Sequence, residues 1–198
     1  MGAREKRLLH RYRYKQAAIP ANLDDYAFFI WGLIELYEAT FAERYLQAAL
    51  SLQEVLDRHF RDDQKGGYFF VPDDGETLLL RQKDIYDGAV PSGNAVTLLN
   101  LLRLARMTGR PDLENQAVRL ARTFAAQIQS HPSGHSQFMV ALDFLTGPTA
   151  EIVVAGDLKR IETQSMMHAL REPFLPNKVV IFRPPDETSP AICHLAEF

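Results

Sequence analysis

Slid against itself by 68 residues, the chain matches without a gap through two successive helical patterns. Ala27 falls on Ala95, Leu33 on Leu101, Leu36 on Leu104, Thr40 on Thr108 and Ala49 on Ala117. Ile30, Trp31, Tyr45, Leu52 and Leu56 fall on Leu98, Leu99, Leu113, Leu120 and Phe124. A spacing kept through one helix, a turn and a second helix restricts the chain to folds that repeat one supersecondary unit.

Each unit pairs two kinds of helix. "LDDYAFFIWGLIELYEAT" and "NAVTLLNLLRLARMTG" are apolar nearly all round, the pattern of buried helices. "FAERYLQAALSLQEVLDRHF" carries Tyr45, Ala49, Leu52, Leu56 and Phe60 on one stripe, with Gln47, Ser51, Glu54, Arg58 and the following Arg61 opposite. "PDLENQAVRLARTFAAQIQ" does the same through Leu113, Ala117, Leu120, Phe124 and Ile128, so these two helices are half exposed. The prediction is a mainly α fold of antiparallel hairpins, an inner helix followed by an outer one. Asp24 and Ser92 occupy equivalent positions before the inner helices and are both good N-caps. Both inner helices are therefore expected to begin on the same side of the molecule.

Between the hairpins, Tyr68–Val71 and Thr77–Leu80 flank an Asp74-Gly75 turn and predict a β-hairpin near residues 67–82. A third inner helix, "SQFMVALDFL", follows the loop "SHPSGH". Then "AEIVVAG", a helix from Asp157 and "NKVVIFRPP" read as a β-α-β segment. The expected division is a helical domain over 1–148 and a β-α-β appendage over 149–198.

Charge and punctuation narrow the function classes. With 22 basic and 25 acidic residues interspersed after a short basic start, no broad footprint for nucleic acid is present. The first ten residues lack the apolar core of a signal peptide, and no apolar run is long enough to span a membrane. The expected location is cytoplasmic. Cys193 is alone, and Gly156 stands without the glycine pattern of a phosphate loop. Neither metal nor cofactor is expected.

The polar loop "RQKDIYDGAVPSGNAV" opening onto the second inner helix holds the candidate site residues. Asp24, Asp25, Asp87 and His135 are candidates for acid and base roles, since carboxylates in different environments can divide them. Asp24 as a cap and Asp25 as a solvated or ion-paired group is the structural alternative. Tyr26, Arg81, Lys83, Tyr86, Ser92 and Asn94 are candidates for holding a substrate. For Asp84 and Asp87, local ion pairing and turn formation compete with hydroxyl recognition. Ser92 lacks a nucleophile elbow and reads as an N-cap. Asn94, a poor helix-interior residue, serves either recognition or hydrogen bonding to the loop. Alanine at Ser92 is expected to cost stability, and alanine at Asp87 to leave the fold nearly intact.

The blocks "LLHRYR", "LDDYAFFIWGLIELYEATF", "GGYFF", "DGAVPSGNAVTLLNLLRLARMTGR" and "EIVVAGD" resemble the C-terminal half of the thioredoxin-domain-containing family that includes spermatogenesis-associated protein 20. The resemblance implies an (α/α)6 toroid akin to N-acylglucosamine 2-epimerases and six-hairpin glycosidases, with inner-helix N-termini around a sugar-sized pocket. This sequence departs from that pattern. It lacks the thioredoxin-like domain and carries about two and a half of six hairpins, so redox or complete-ring activity does not carry over. Helices apolar on every face then need further neighbours. The expectation is a homo-oligomer, or pairing with the missing hairpins.

Two functional readings result. One is binding or processing of a carbohydrate or related polyhydroxylated metabolite, without nucleic-acid or membrane partners. The other is a noncatalytic interaction or scaffold module derived from a longer thioredoxin-domain protein.

Overall fold

Helix α1 (Leu23–Thr40) begins where Asn22 takes an extended backbone and Asp25 returns its carboxylate to the Asn22 N–H at 2.8 Å. This reciprocal capping occupies donors that a helix start leaves free. Asp24 is thus inside the first turn, which corrects its expected role as the cap. The computed structural model describes residues 7–75, 79–185 and 192–196.

Helix α2 (Glu43–His59) folds back against α1 after Phe41, which ends α1 in the left-handed conformation at φ 55°. Helices α3 (Gly93–Thr108) and α4 (Pro111–Ser130) repeat the arrangement, with Gly109 at φ 66° in the equivalent place and Pro111 opening α4. Thr40 and Thr108 each donate a hydroxyl hydrogen bond of 2.6 Å to the carbonyl four residues back. The repeat therefore holds in backbone and side chain at the turn. At the start it slips, because α1 is two residues longer than α3.

Helix α5 (Ser136–Thr146) packs on α3, which lies between α1 and α5. Every residue of α3 except Arg106 is buried. Alanine in place of a fully enclosed leucine such as Leu98 or Leu101 costs about 2–5 kcal/mol. Helix α1, expected to be buried all round, is covered by α2, α3 and β4 but leaves one stripe open: Phe29 and Leu36 are exposed, as are Met139 and Val140 on α5. The half-exposed pattern holds for α2, with Ala49, Leu56 and Phe60 buried as expected, although Leu46 and Gln53 also face inward while Tyr45 and Leu52 stay half buried.

The expected hairpin near 67–82 is not formed by the described residues, and Thr77 and Leu78 lie outside them. Tyr68 pairs with Arg61 in an isolated bridge, and among the described residues one backbone bond, from Phe70 N to Gln82 O, joins the two arms beside the Arg81 side chain, which donates to Val71 O. Leu79 and Leu80 are exposed, so the second arm has no apolar face to dock. A strand pair that the sequence reading passed over precedes α1. Strands β1 (Leu9–Arg13) and β2 (Gln16–Pro20) are antiparallel around a turn at Tyr14 and Lys15, both with positive φ.

The β-α-β segment forms as expected from β3 (Ala150–Ala155), α6 (Ile161–Arg171) and β4 (Lys178–Arg183), with β3 and β4 parallel from Ala150↔Lys178 to Ala155↔Arg183. The α6 helix starts four residues later than predicted, because Asp157 caps a turn at Lys159 N instead. Strand β4 is buried on both faces. Val179 and Ile181 enter the main core, while Val180 and Phe182 meet Val154 and Met167. The Phe182 ring lies 5.4 Å from that of Phe41. A final short helix, α7 (Ile192–Leu195), places Ile192 in the main core. Among the described residues no helix is long and apolar enough to cross a membrane.

Candidate functional site

The starts of α1, α3 and α5 meet at one pole. Ser92 caps α3 as predicted, its hydroxyl accepting from Ala95 N at 3.3 Å. The side chain of Asp24 lies against Gly93, the first residue of α3, and accepts its N–H. Burial pushes the Asp24 carboxyl above its ordinary value, the Gly93 hydrogen bond opposes this, and the charges of Asp84 and Asp25 add to the rise. Asp84 lies in the loop before α3, where its carboxylate closes a local turn by accepting from Tyr86 N at 3.0 Å, the turn-forming role of its two expected ones.

Asp87 is the joint between α3 and α5. One oxygen accepts from Ser92 N at 2.8 Å, and the other accepts from Gln137 N at 2.8 Å and Phe138 N at 3.2 Å in the first turn of α5. A carboxylate at a helix N-terminus satisfies free N–H groups and complements the helix dipole. Asn94 is buried with its amide fully used: Oδ1 accepts from Tyr68 N at 2.8 Å, and Nδ2 donates to Tyr68 O at 2.9 Å and Asp84 O at 2.8 Å. Of its two expected roles, the bonding to the loop is the one on display. His135, also buried, holds Ile85 O through Nδ1 at 2.8 Å, with the exposed Tyr86 ring edge-on at 6.3 Å.

Other predicted residues lie apart from this group. Tyr26 is buried against Phe60 at 5.3 Å, and its hydroxyl accepts from Leu8 N, which leaves no open ring face for a sugar. Arg81 donates to Val71 O and His59 O and stacks on Phe69, while Lys83 binds Asp62 at 2.6 Å and the Gly66 carbonyl. Both cations brace the 60–71 loop. Asp25 faces the strands, with His10 Nδ1 at 2.9 Å from its carboxylate. Asn22 and His10 were not singled out in the sequence, yet the Asn22-x-x-Asp25 spacing is a capping-box signal.

A second polar cluster links the outer helices. Asp57 accepts from Tyr68 Oη at 2.6 Å and Gln53 Nε2 at 2.9 Å, and the Gln116 amide nitrogen, turned toward it, donates at 2.9 Å. Burial pushes the Asp57 carboxyl up against these bonds. A cavity of about 170 Å³ adjoins it, lined by Arg61, Gly67, Tyr68, Gln116 and Arg119 among others. His59, Asp73 and Asp74 also lie within 4.8 Å of one another, a spacing open to a metal. Arg7, however, grips Asp74 with two 3.0 Å bonds, placing a competing cation there.

No protein-family model matches the chain. Over 168 residues, 84% of this chain, it is 38% identical to human spermatogenesis-associated protein 20 and 37% identical to the rat protein of that name. The chain is homologous to spermatogenesis-associated protein 20. It spans about a fifth of the length of these relatives, 21% in each case. A Caenorhabditis elegans protein described as uncharacterized is 29% identical over 163 residues, 82% of this chain and 22% of its own length. The segment shared with spermatogenesis-associated protein 20 covers enough of this chain to include both hairpins in large part. The name of that protein states an association with spermatogenesis and no chemistry.

Proposed function

We propose that the pole where α1, α3 and α5 begin binds a polyhydroxylated small molecule of the carbohydrate type and supplies acid–base groups to it. The single observation behind this reading is the convergence of two acidic residues on the start of α3: the Asp24 carboxylate lies against Gly93, and the backbone of Asp84 is bound by Asn94 one residue further on. Carboxylates held in different environments can take the roles of proton donor and acceptor. Tyr86, 59% exposed at the same loop, offers an aromatic face for a sugar ring. In this reading the chain is part of a toroid of helical hairpins, as the resemblance to sugar-processing folds implies, and corresponds to a piece of the C-terminal half of the longer relatives. Titrating a library of neutral and acidic sugars by NMR line shifts tests it. Shifts at residues 84–94 in the wild type that vanish in Asp84→Asn support the reading, and no shift with any sugar sinks it.

A noncatalytic interaction module is the second reading. It is favoured by Phe29 and Leu36 on α1 and Met139 and Val140 on α5, apolar side chains exposed on the two outer flanks of the helix row. Sedimentation at micromolar concentration separates the two: a stable dimer without sugar binding favours the module.

A further inference from the structure

The β1–β2 ribbon has a composition unlike the rest of the chain. Residues 9–20 contain Arg11, Arg13 and Lys15 and no acid. Residues 1–20 hold six basic groups against one acidic, leaving 16 basic against 24 acidic in the remainder. The ribbon is also almost unburied, with Tyr12 at 75% and Tyr14 at 83% exposure. Two strands alone are marginal in water. Yet this pair is anchored at its base by the His10–Asp25 contact and by Ala21 N bonding to Leu8 O. Asp25 neighbours Asp24, so the ribbon rises from the pole that carries Asp24 and Asp84.

From this placement we propose that the ribbon is a cationic arm selecting anionic saccharide chains, uronate-bearing ones in particular, for the pole beside it. The inference rests on the carbohydrate reading of that pole. Arg11 and Arg13 share one face of β1, two residues and thus about 7 Å apart, which suits successive carboxylates on an extended chain. Tyr14, at the turn, holds the Arg13 guanidinium over its ring at 4.7 Å and through its hydroxyl at 3.1 Å, while Tyr12, on the opposite face of β1, adds exposed aromatic surface for sugar rings. The partner's charge is argued from complementarity with the arm. The acidic body repels a polymer as densely charged as nucleic acid and so favours a partner of modest charge density.

The test is fluorescence anisotropy with an end-labelled oligogalacturonate and its methyl-esterified, neutral counterpart. Wild type is expected to bind the charged oligomer in a salt-sensitive way, and the combined Arg11→Ala, Arg13→Ala, Lys15→Ala variant to bind it about tenfold more weakly or worse, a loss of about 1.4 kcal/mol. The neutral oligomer is expected to bind wild type and this variant alike. Because the three residues are exposed, circular dichroism melts serve as the check that the variant is folded. Equal affinity of wild type and variant for the charged oligomer overturns the proposal. So does tighter binding of a single-stranded oligonucleotide or of anionic phospholipid vesicles. The Asp24→Asn variant keeps the two readings apart. If it binds both oligomers as wild type does, neither oligomer shifts the resonances of residues 84–94, and the arm variant still loses the charged one, the arm stands and the carbohydrate reading of the pole fails.

Discussion

Glu35 and Arg103 stand 68 residues apart, at equivalent positions of the two repeats, and meet as an ion pair between α1 and α3. The second guanidinium nitrogen reaches Glu38 at 3.1 Å. One sequence position thus carries opposite charges in successive units, and the inner helices are pinned side by side by that difference. Burial pushes the Glu38 carboxyl up, and Arg103 opposes the rise.

Removing the shared cation leaves the largely enclosed Glu38 without its ion-pair partner and with the Val180 N–H as its remaining hydrogen bond. Arg103→Ala is therefore expected to lose on the order of 3 kcal/mol in chemical denaturation. Glu35, half exposed, is expected to cost less than about 1 kcal/mol as Gln. Combining Arg103→Met with Glu38→Gln recovers most of the loss if the penalty is the stranded charge.

For Asp87 the structure reverses the order of effects expected from sequence. Its carboxylate serves three backbone N–H groups on two elements, whereas the Ser92 hydroxyl serves one. Asp87→Ala is expected to destabilise by about 2–3 kcal/mol and Ser92→Ala by about 1 kcal/mol, read from urea midpoints. A smaller loss at Asp87 than at Ser92 restores the original reading.

Gly93→Ala separates propensity from packing. Alanine in a helix gains up to about 1 kcal/mol over glycine. Here a Cβ meets Leu23 Cγ at 2.7 Å and also the Asp24 carboxylate. The expected outcome is a lower melting temperature, with Leu23→Ala in the same chain restoring part of it.

Asp62 gives the clearest dependence on acid. Burial pushes its carboxyl up, but hydrogen bonds from Lys83 and from the N–H groups of Lys65 and Gln64 outweigh this and hold it at about 2. The unfolded chain then takes up this proton first, so the contribution is complete above 3.8 and is lost as pH falls toward about 2. Asp74 and Asp112 are also lowered, while Asp24, Glu38 and Asp57 are raised and act in the opposite sense. The test is the difference in melting temperature between wild type and Asp62→Asn, expected to shrink from pH 5 to pH 2.

The hairpins, the third inner helix and the β-α-β segment were legible because each rests on periodicity, which a sequence displays directly. Ser92 was legible because a cap is a local device. Asn94 was half legible: its poor fit to a helix signalled a job, but its partners Tyr68 and Asp84 are fixed by tertiary folding. The β1–β2 turn escaped because Tyr14 and Lys15 take positive φ where glycine or asparagine is the usual sign. Near 67–82 the error ran the other way. A β-prone run and an Asp-Gly pair predicted strands, but the first arm is engaged by Arg61 and Asn94 instead. Arg81 and Lys83, read as ligand groups, bind carbonyls and Asp62 across the loop, and no spacing rule encodes such contacts.

At the turn between α1 and α2, phenylalanine occupies the left-handed position that glycine fills between α3 and α4. That conformation costs a non-glycine residue on the order of 1 kcal/mol or more, and the Phe41 ring offsets it by lying against Phe182. During synthesis the first hairpin leaves the ribosome well before its counterweight exists, because Phe182 follows 141 residues later. The turn of the first hairpin is therefore secured later than the equivalent turn of the second. A nascent chain arrested before β4 should show that turn open to hydrogen exchange, while the equivalent glycine turn, needing no distant partner, closes as soon as it emerges.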